Sequence, residues 1–230
     1  RLHLVYQMSN IDDTVGIEIY YRYSDDHGHT WSERIYVSTP EGVPNHKHSQ
    51  FPSAIADSLG NLMALWFDYK YGSECGFTGD ILGRASRDNG ETWLPETRLT
   101  YTQTGSSSSC VILEDTLYAI WMDEDYLGCG YPKLMHSKSG DWGATWDRPE
   151  LIDESAELLE GGPILFYNRE EISPMLHCVM AGEPVNGPCD LYYTWNAIAT
   201  KTADAIPPTF PGSFVLGAYP NPFNSSTVLT

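Results

Sequence analysis

Short apolar runs, each ending in a large aromatic residue, recur along the chain and predict β-strands. The clearest three occupy residues 2–6, 62–66 and 117–121, ending in Tyr6, Trp66 and Trp121. A second run follows each of them and leads to a serine 18 to 20 positions after the aromatic residue. Apolar residues at the spacing of a helix face are scarce, so the pattern favours strands throughout. We predict an all-β chain.

A polar segment with the pattern Ser-x-Asp-x-Gly-x-Thr-Trp closes each of these units, and we call it the repeat turn. Its residues are Ser24, Asp26, Gly28, Thr30 and Trp31 in the first copy, Ser86, Asp88, Gly90, Thr92 and Trp93 in the second, and Ser139, Asp141, Gly143, Thr145 and Trp146 in the third. Serine and aspartate oxygens accept hydrogen bonds from turn N–H groups. Glycine allows a positive φ, and tryptophan buries a large apolar surface. The repeat turn therefore predicts a folding device and no catalytic group.

Strand-like runs on either side of these segments complete a four-strand unit. Opening strands are predicted at residues 51–57 and 108–113, and closing strands at 33–38, 96–100 and 150–153. A fourth unit, with runs at 163–167, 174–180 and 190–195, has no repeat turn. A four-strand unit of this size must stack on neighbours to bury both of its faces, as the blades of a β-propeller do.

The repeat turns resemble the Asp boxes, or BNR repeats, of bacterial sialidases, which are six-bladed propellers. The resemblance covers residues 1–201, about four of a probable six blades, and implies a sialidase-like fold. It also implies that the repeat turns lie on the face opposite any active site, so they are structural. Because the same box occurs in other glycosidases and in propellers without activity, it indicates the fold more than the substrate.

The C-terminal residues have a different composition. Residues 202–213 hold three prolines and predict a linker. Residues 214–230 contain Tyr-Pro-Asn-Pro-Phe-Asn and resemble the opening of a type IX secretion C-terminal sorting domain. That resemblance implies contact with the secretion machinery and a place outside a bacterial cell or on its outer-membrane surface. The alternative is a proline-rich turn before an unrelated strand.

Charge and cysteine content narrow the function classes. The formal net charge is −18, which disfavours nucleic acid and anionic lipid as partners. No apolar run is long enough for a membrane span. The five cysteines show no paired spacing for zinc or redox chemistry, so no metal or cofactor is predicted, and a structural calcium ion stays open. Cys178 and Cys189 are one pairing that a disulfide allows, and Cys110 is predicted to be buried. Because the chain begins inside a predicted strand, we expect an incomplete or processed N-terminus.

Loops on the face opposite the repeat turns are where we expect any ligand to bind. The candidate rim combines acidic, aromatic and basic side chains: Asp68, Tyr69, Lys70, Asp123, Asp125, Tyr126, His46 and His48. Acidic and aromatic groups suit sugar hydroxyls and ring faces. The alternative for Asp68 and Asp123 is that they cap strand ends, because both stand two residues after a strand's aromatic residue. The alternative for the histidines is a solvated loop.

A sialidase needs three arginines on a carboxylate, a Tyr–Glu nucleophile pair and an acid/base aspartate. The sequence has eight arginines, and we predict all of them away from the loop face. We therefore expect a secreted or surface propeller that binds glycan or a surface protein and is not catalytically complete in this chain. The alternative is an exo-acting, sialidase-type glycoside hydrolase whose catalytic residues lie partly in further N-terminal blades.

Overall fold

The computed structural model describes most of the first 152 residues and isolated strands beyond them. Side chains are described for residues 1–9, 16–39, 48–72, 79–112, 115–123 and 133–152. The backbone alone is described for residue 113 and for 164–167, 175–182, 190–197, 218–219 and 228–229.

Antiparallel sheets in sequence order account for the described part of the chain. The first sheet holds β1 (Leu2–Ser9), β2 (Ile17–Ser24) and β3 (Ile35–Tyr36). The second holds β4 (Ser49–Ala56), β5 (Leu62–Asp68), β6 (Asp80–Ser86) and β7 (Thr97–Arg98), with a 3-10 helix at Tyr69–Tyr71. The third holds β8 (Gly105–Leu113), β9 (Thr116–Asp123), β10 (Lys133–Ser139) and β11 (Glu150–Leu151). The fourth holds β12 (Ile164–Tyr167), β13 (Met175–Gly182) and β14 (Asp190–Ala197). β15 (Ala218–Tyr219) pairs with β16 (Val228–Leu229).

Radial stacking of these sheets confirms the predicted all-β propeller. Each sheet runs from an inner to an outer strand in chain order, which is the connectivity of a propeller blade. The opening strands β4, β8 and β12 contact one another in turn and so lie nearest the axis. We call the sheets the first to fourth blades. In the described residues, no helix is long and apolar enough to cross a membrane.

The core lies between blades, which explains why the central strands show no polar alternation. All seven residues of β5 are buried. Leu62, Ala64 and Trp66 face the first blade. The alternate residues Met63, Leu65 and Phe67 face the third. Successive side chains of a strand point to opposite faces, so a strand covered on both faces is apolar at every position. Cys110 packs between the second and third blades as a free, buried thiol, which confirms the prediction that it is buried.

The three repeat turns share one hydrogen-bond pattern. The serine hydroxyl donates to the aspartate at 2.7–2.8 Å and accepts from the glycine N–H at 2.8–3.0 Å. The aspartate also accepts from the threonine N–H at 2.8 Å. These bonds to the ionised carboxylate lower the pKa of each aspartate, and they bring the pKa of Asp26 to about 2. The turn is therefore closed by side chains within seven residues of sequence.

The second and third repeat turns also pack on the preceding blade. Gly90 has φ +86°, and a Cβ there would overlap the ring of Tyr21 in the first blade. Trp93 meets the same ring edge-to-face, with ring centroids 5.3 Å apart. Trp146 packs in the equivalent layer between the second and third blades. Trp31 differs from the prediction of burial, since it is 38% exposed and no described strand covers that side of the first blade.

Candidate functional site

Buried acidic residues mark the loop face, the side of the blades opposite the repeat turns. Asp68 and Asp123 end β5 and β9, and Asp80 begins β6 directly opposite Asp68. Glu18 lies one residue inside β2. None of these four carboxylates is more than 5% exposed, and we call them the carboxylate row. Because a buried charge needs partners, the donors around each member decide what it can do.

Asp68 is held by donors from three segments. Its side chain accepts from the Ser49 hydroxyl, the Trp66 indole N–H and the Lys70 backbone N–H, each at 2.8 Å. The last bond caps the 3-10 helix after β5. The strand-capping interpretation of Asp68 therefore has direct geometric support.

Glu18 approaches Asp68 across the interface of the first and second blades. The Ser38 hydroxyl donates to Glu18 Oε2 at 2.5 Å, and the Ser49 hydroxyl lies 3.4 Å from the same oxygen and 2.8 Å from Asp68 Oδ2. Burial raises the pKa of Glu18 to about 7, the negative charge of Asp68 adds to the rise, and the Ser38 hydrogen bond opposes it. Glu18 is thus a carboxyl group that exchanges its proton near neutral pH beside a second carboxylate.

Asp80 occupies the position of Glu18 in the second blade, but it is compensated. Arg98 forms a salt bridge to it at 2.6 Å, Thr100 donates a hydroxyl at 2.7 Å and Gln103 donates its N–H at 3.1 Å. In the first blade, Tyr36 holds the position of Arg98, since Tyr36 pairs with Tyr20 as Arg98 pairs with Leu82. Among the described residues, no guanidinium bonds Glu18. Asp80 is therefore part of an ion pair, whereas hydroxyl groups alone bond Glu18 among the described residues.

Asp123 accepts from two threonines of the segment that joins the second blade to the third. The hydroxyls of Thr102 and Thr104 each lie 2.7 Å from one of its carboxylate oxygens. This arrangement ties the crossover to the end of β9. It too agrees with a strand-capping role.

The remaining candidate rim residues connect neighbouring segments. His48 accepts the Ile17 N–H at Nδ1 (2.9 Å) and so links β2 to the start of the second blade. The Tyr69 ring packs edge-to-face on Phe67, and Lys70 forms a salt bridge to Glu96 at 3.0 Å. His46, Asp125 and Tyr126 lie outside the described residues, as do Cys189 and the 202–213 linker. Ligand binding by the rim stays a prediction.

Arg98 reaches the loop face, although we predicted from the sequence that every arginine lies away from it. Its guanidinium reaches the carboxylate row from the outer strand β7, between the rings of Tyr71 (4.0 Å) and Tyr101 (4.5 Å). Glu18 and Asp80 were also overlooked, although aligning the three units shows an acid six residues before the turn serine in two of them and Lys133 in the third. No group of three metal-binding side chains occurs in the described part of the chain.

The geometry defines an all-β propeller with a buried carboxylate row beneath one face. No family model and no curated protein matches the sequence.

Solved structures share the fold at low identity. An α-L-arabinanase of Penicillium chrysogenum, complexed with arabinobiose, has a TM-score of 0.57 and 15% identity over 83% of this chain and 58% of its own. A GH93 α-L-arabinofuranosidase of Fusarium graminearum gives 0.55 and 16% over 86% and 60%. The NanB sialidase of Streptococcus pneumoniae, as a point mutant, gives 0.52 and 12% over 77% and 26%. This chain therefore spans between a quarter and three fifths of the length of these proteins.

Proposed function

We propose that this chain is part of a secreted or cell-surface, sialidase-like propeller that binds glycan at the loop face. Three proteins of like fold are named for action on sugars, and two of them were solved with arabinobiose, which supports a carbohydrate ligand. The Asp-box and type IX secretion resemblances support an extracellular place. A surface protein stays the alternative ligand.

The compensation within the carboxylate row carries the choice of binding over catalysis. The chain's own donors hydrogen-bond both oxygens of Asp80 and of Asp123, and the guanidinium of Arg98 is paired with Asp80. A sialidase clamp needs three arginines free to grip the carboxylate of the sugar. The described residues do not supply that clamp, so we infer a binding function for this part of the protein.

One observation favours glycoside hydrolysis as the second candidate. Glu18 has a pKa of about 7 and shares Ser49 with Asp68, and a glycosidase needs one carboxyl group that stays protonated beside one that is ionised. In that case Glu18 would donate the proton to the leaving group.

A glycan array and a panel of aryl-glycosides test the two candidates on the same protein. We expect array binding without release of the aryl group. The variants are Glu18→Gln and, as a matched control, Glu33→Gln at an exposed position after the first repeat turn. Release of product by the wild type and by Glu33→Gln, but not by Glu18→Gln, would replace the binding proposal with the hydrolase. Neither binding nor turnover with any glycan would refute both.

A further inference from the structure

A groove of about 640 Å³ lies between the second and third blades, and its lining includes Asp123 of the carboxylate row. Its buried lining includes Leu99, Trp121 and Met135, and its exposed lining includes Tyr101 and Arg148. The volume falls in the range of small-ligand sites, which are also mainly apolar with a few polar groups.

The repeat is broken at one position next to the groove. Arg84, two residues before the turn serine in the second blade, donates to the carbonyl oxygens of Val37 and Leu94 and so spans the interface with the first blade. Ser137 holds this position in the third blade, and its hydroxyl reaches only the Asp147 carbonyl oxygen at 2.7 Å. Replacing a long guanidinium side chain by serine leaves the space between the second and third blades open.

An unpartnered indole lines this groove. Trp121 is 1% exposed, and its Nε1–H has no acceptor in the part of the chain that the structure describes, nor has the Nε1–H of Trp146 in the same lining. The equivalent Trp66 donates to Asp68 at 2.8 Å. A buried N–H without an acceptor is costly, and a ligand oxygen in the groove would remove that cost.

An exposed tyrosine stands at the edge of the groove. Tyr101 is 72% exposed, and the Arg98 guanidinium lies 4.5 Å from its ring centroid. Arg98 is itself fixed by its salt bridge to Asp80. An aromatic ring that is held in place and open to solvent offers a flat apolar surface to a ligand with an apolar face.

Charge in the groove is balanced although the chain is strongly acidic. The charged lining residues are Arg98 and Arg148 against Asp123 and Asp147. The hydroxyls of threonines 97, 100, 102 and 145 already donate within the chain, so they can only accept hydrogen bonds from a ligand. Balanced charge, hydroxyls and aromatic rings fit an uncharged ligand with many hydroxyl groups and an apolar ring face.

We propose that this groove is a second glycan-binding site, which takes neutral sugar residues of a chain, with one sugar ring against Tyr101 and an oxygen acceptor at Trp121. The inference rests on the proposed carbohydrate ligand and places it in a groove that begins at Asp123 on the loop face and runs between the second and third blades toward the third repeat turn. An extended peptide is the competing occupant, and the experiment below distinguishes it.

Calorimetric titration of the full chain with neutral hexasaccharides of arabinose, xylose, glucose and mannose tests the proposal. We expect one or more to bind and to lose about tenfold or more in affinity in Tyr101→Ala, which removes the stacking ring. Ser137→Arg should lose binding as well, because it places an arginine where Arg84 spans the interface between the first and second blades. Leu59→Ala, which removes an 80% exposed apolar side chain near the repeat turns, is the matched control and should bind as the wild type does.

Wild-type affinity in both Tyr101→Ala and Ser137→Arg would overturn the groove while leaving glycan binding at the loop face intact. Binding of proline-rich or other extended peptides without any hexasaccharide would also overturn it, as would absence of binding to the whole panel. Tyr101→Ala changes an exposed residue, so its result stands even if Ser137→Arg does not fold.

Discussion

Replacing Glu18 by glutamine should change how the stability of this protein depends on pH. The pKa of Glu18 is about 7 in the folded state against 4.5 in the unfolded chain. The folded state therefore holds its proton more tightly, and wild-type stability falls as pH rises from about 4.5 through about 7. A difference of about 2.5 pKa units corresponds to about 3 kcal/mol at full ionisation. The amide of glutamine carries no charge and avoids this loss.

Urea unfolding at pH 5 and pH 8, followed by tryptophan fluorescence, measures the effect. Every other titrating group is shared by the wild type and Glu18→Gln, so it cancels in the difference between the two proteins. We expect the stability of Glu18→Gln relative to the wild type to rise by about 2 to 3 kcal/mol between the two pH values. The direction follows from burial, which is the largest cause of the raised pKa of Glu18.

A reciprocal change tests the cause assigned to this shift. Tyr36→Arg places a guanidinium where Arg98 compensates Asp80 in the next blade. In a protein that carries Tyr36→Arg, the extra pH dependence caused by Glu18, measured against the same protein with Glu18→Gln, should largely disappear, since an opposite charge favours the ionised acid. A stability difference between wild type and Glu18→Gln that is the same at pH 5 and pH 8 would refute the reasoning.

Two further predictions concern the packing between blades. Gly90→Ala should lower the midpoint of thermal unfolding far more than Gly28→Ala, although φ is positive at both positions (+86° and +91°). A Cβ at Gly90 would overlap Tyr21, whereas the nearest neighbour of a Cβ at Gly28 lies at 3.7 Å. The positive φ alone costs about 1 kcal/mol, and the overlap adds about 1–3 kcal/mol, so equal losses would contradict the packing of the turn on the preceding blade. Burial raises the pKa of the Cys110 thiol to about 12, so this cysteine should resist pulsed iodoacetamide at pH 8 until the protein unfolds. Peptide mass mapping measures the labelling, and rapid labelling of the native protein would place Cys110 outside the core.

Much of the fold was readable from the sequence because its signals are local. The repeat turn closes within seven residues, so its pattern of serine, aspartate, glycine and threonine reports its own hydrogen bonds. The central strands are buried on both faces, and their apolar runs mark them without knowledge of any neighbour. The exposure of Trp31, which the sequence did not predict, depends on the preceding position, since the indoles of Trp93 and Trp146 are covered by the blade before their own.

The candidate site was less predictable because its chemistry is set by contacts between units. The proton affinity of Glu18 depends on burial and on Asp68, 50 residues away in sequence. Arg98 belongs to the outer strand β7, yet its long side chain reaches Asp80 at the start of β6. Aligning the repeats identifies both positions, but only coordinates show which acid has a partner.

Departures from the repeat therefore mark the places where this propeller differs from a purely structural scaffold. The second blade shows that an arginine at the position of Tyr36 and another at the position of Ser137 are both compatible with the fold. The first absence leaves a carboxyl group that titrates near neutral pH, and the second leaves a groove with an unpartnered indole. The first costs stability that an arginine, already used at this position in the second blade, would restore. Local rules broken without compensation are expected where a protein binds or reacts, so these two positions are the ones to change first.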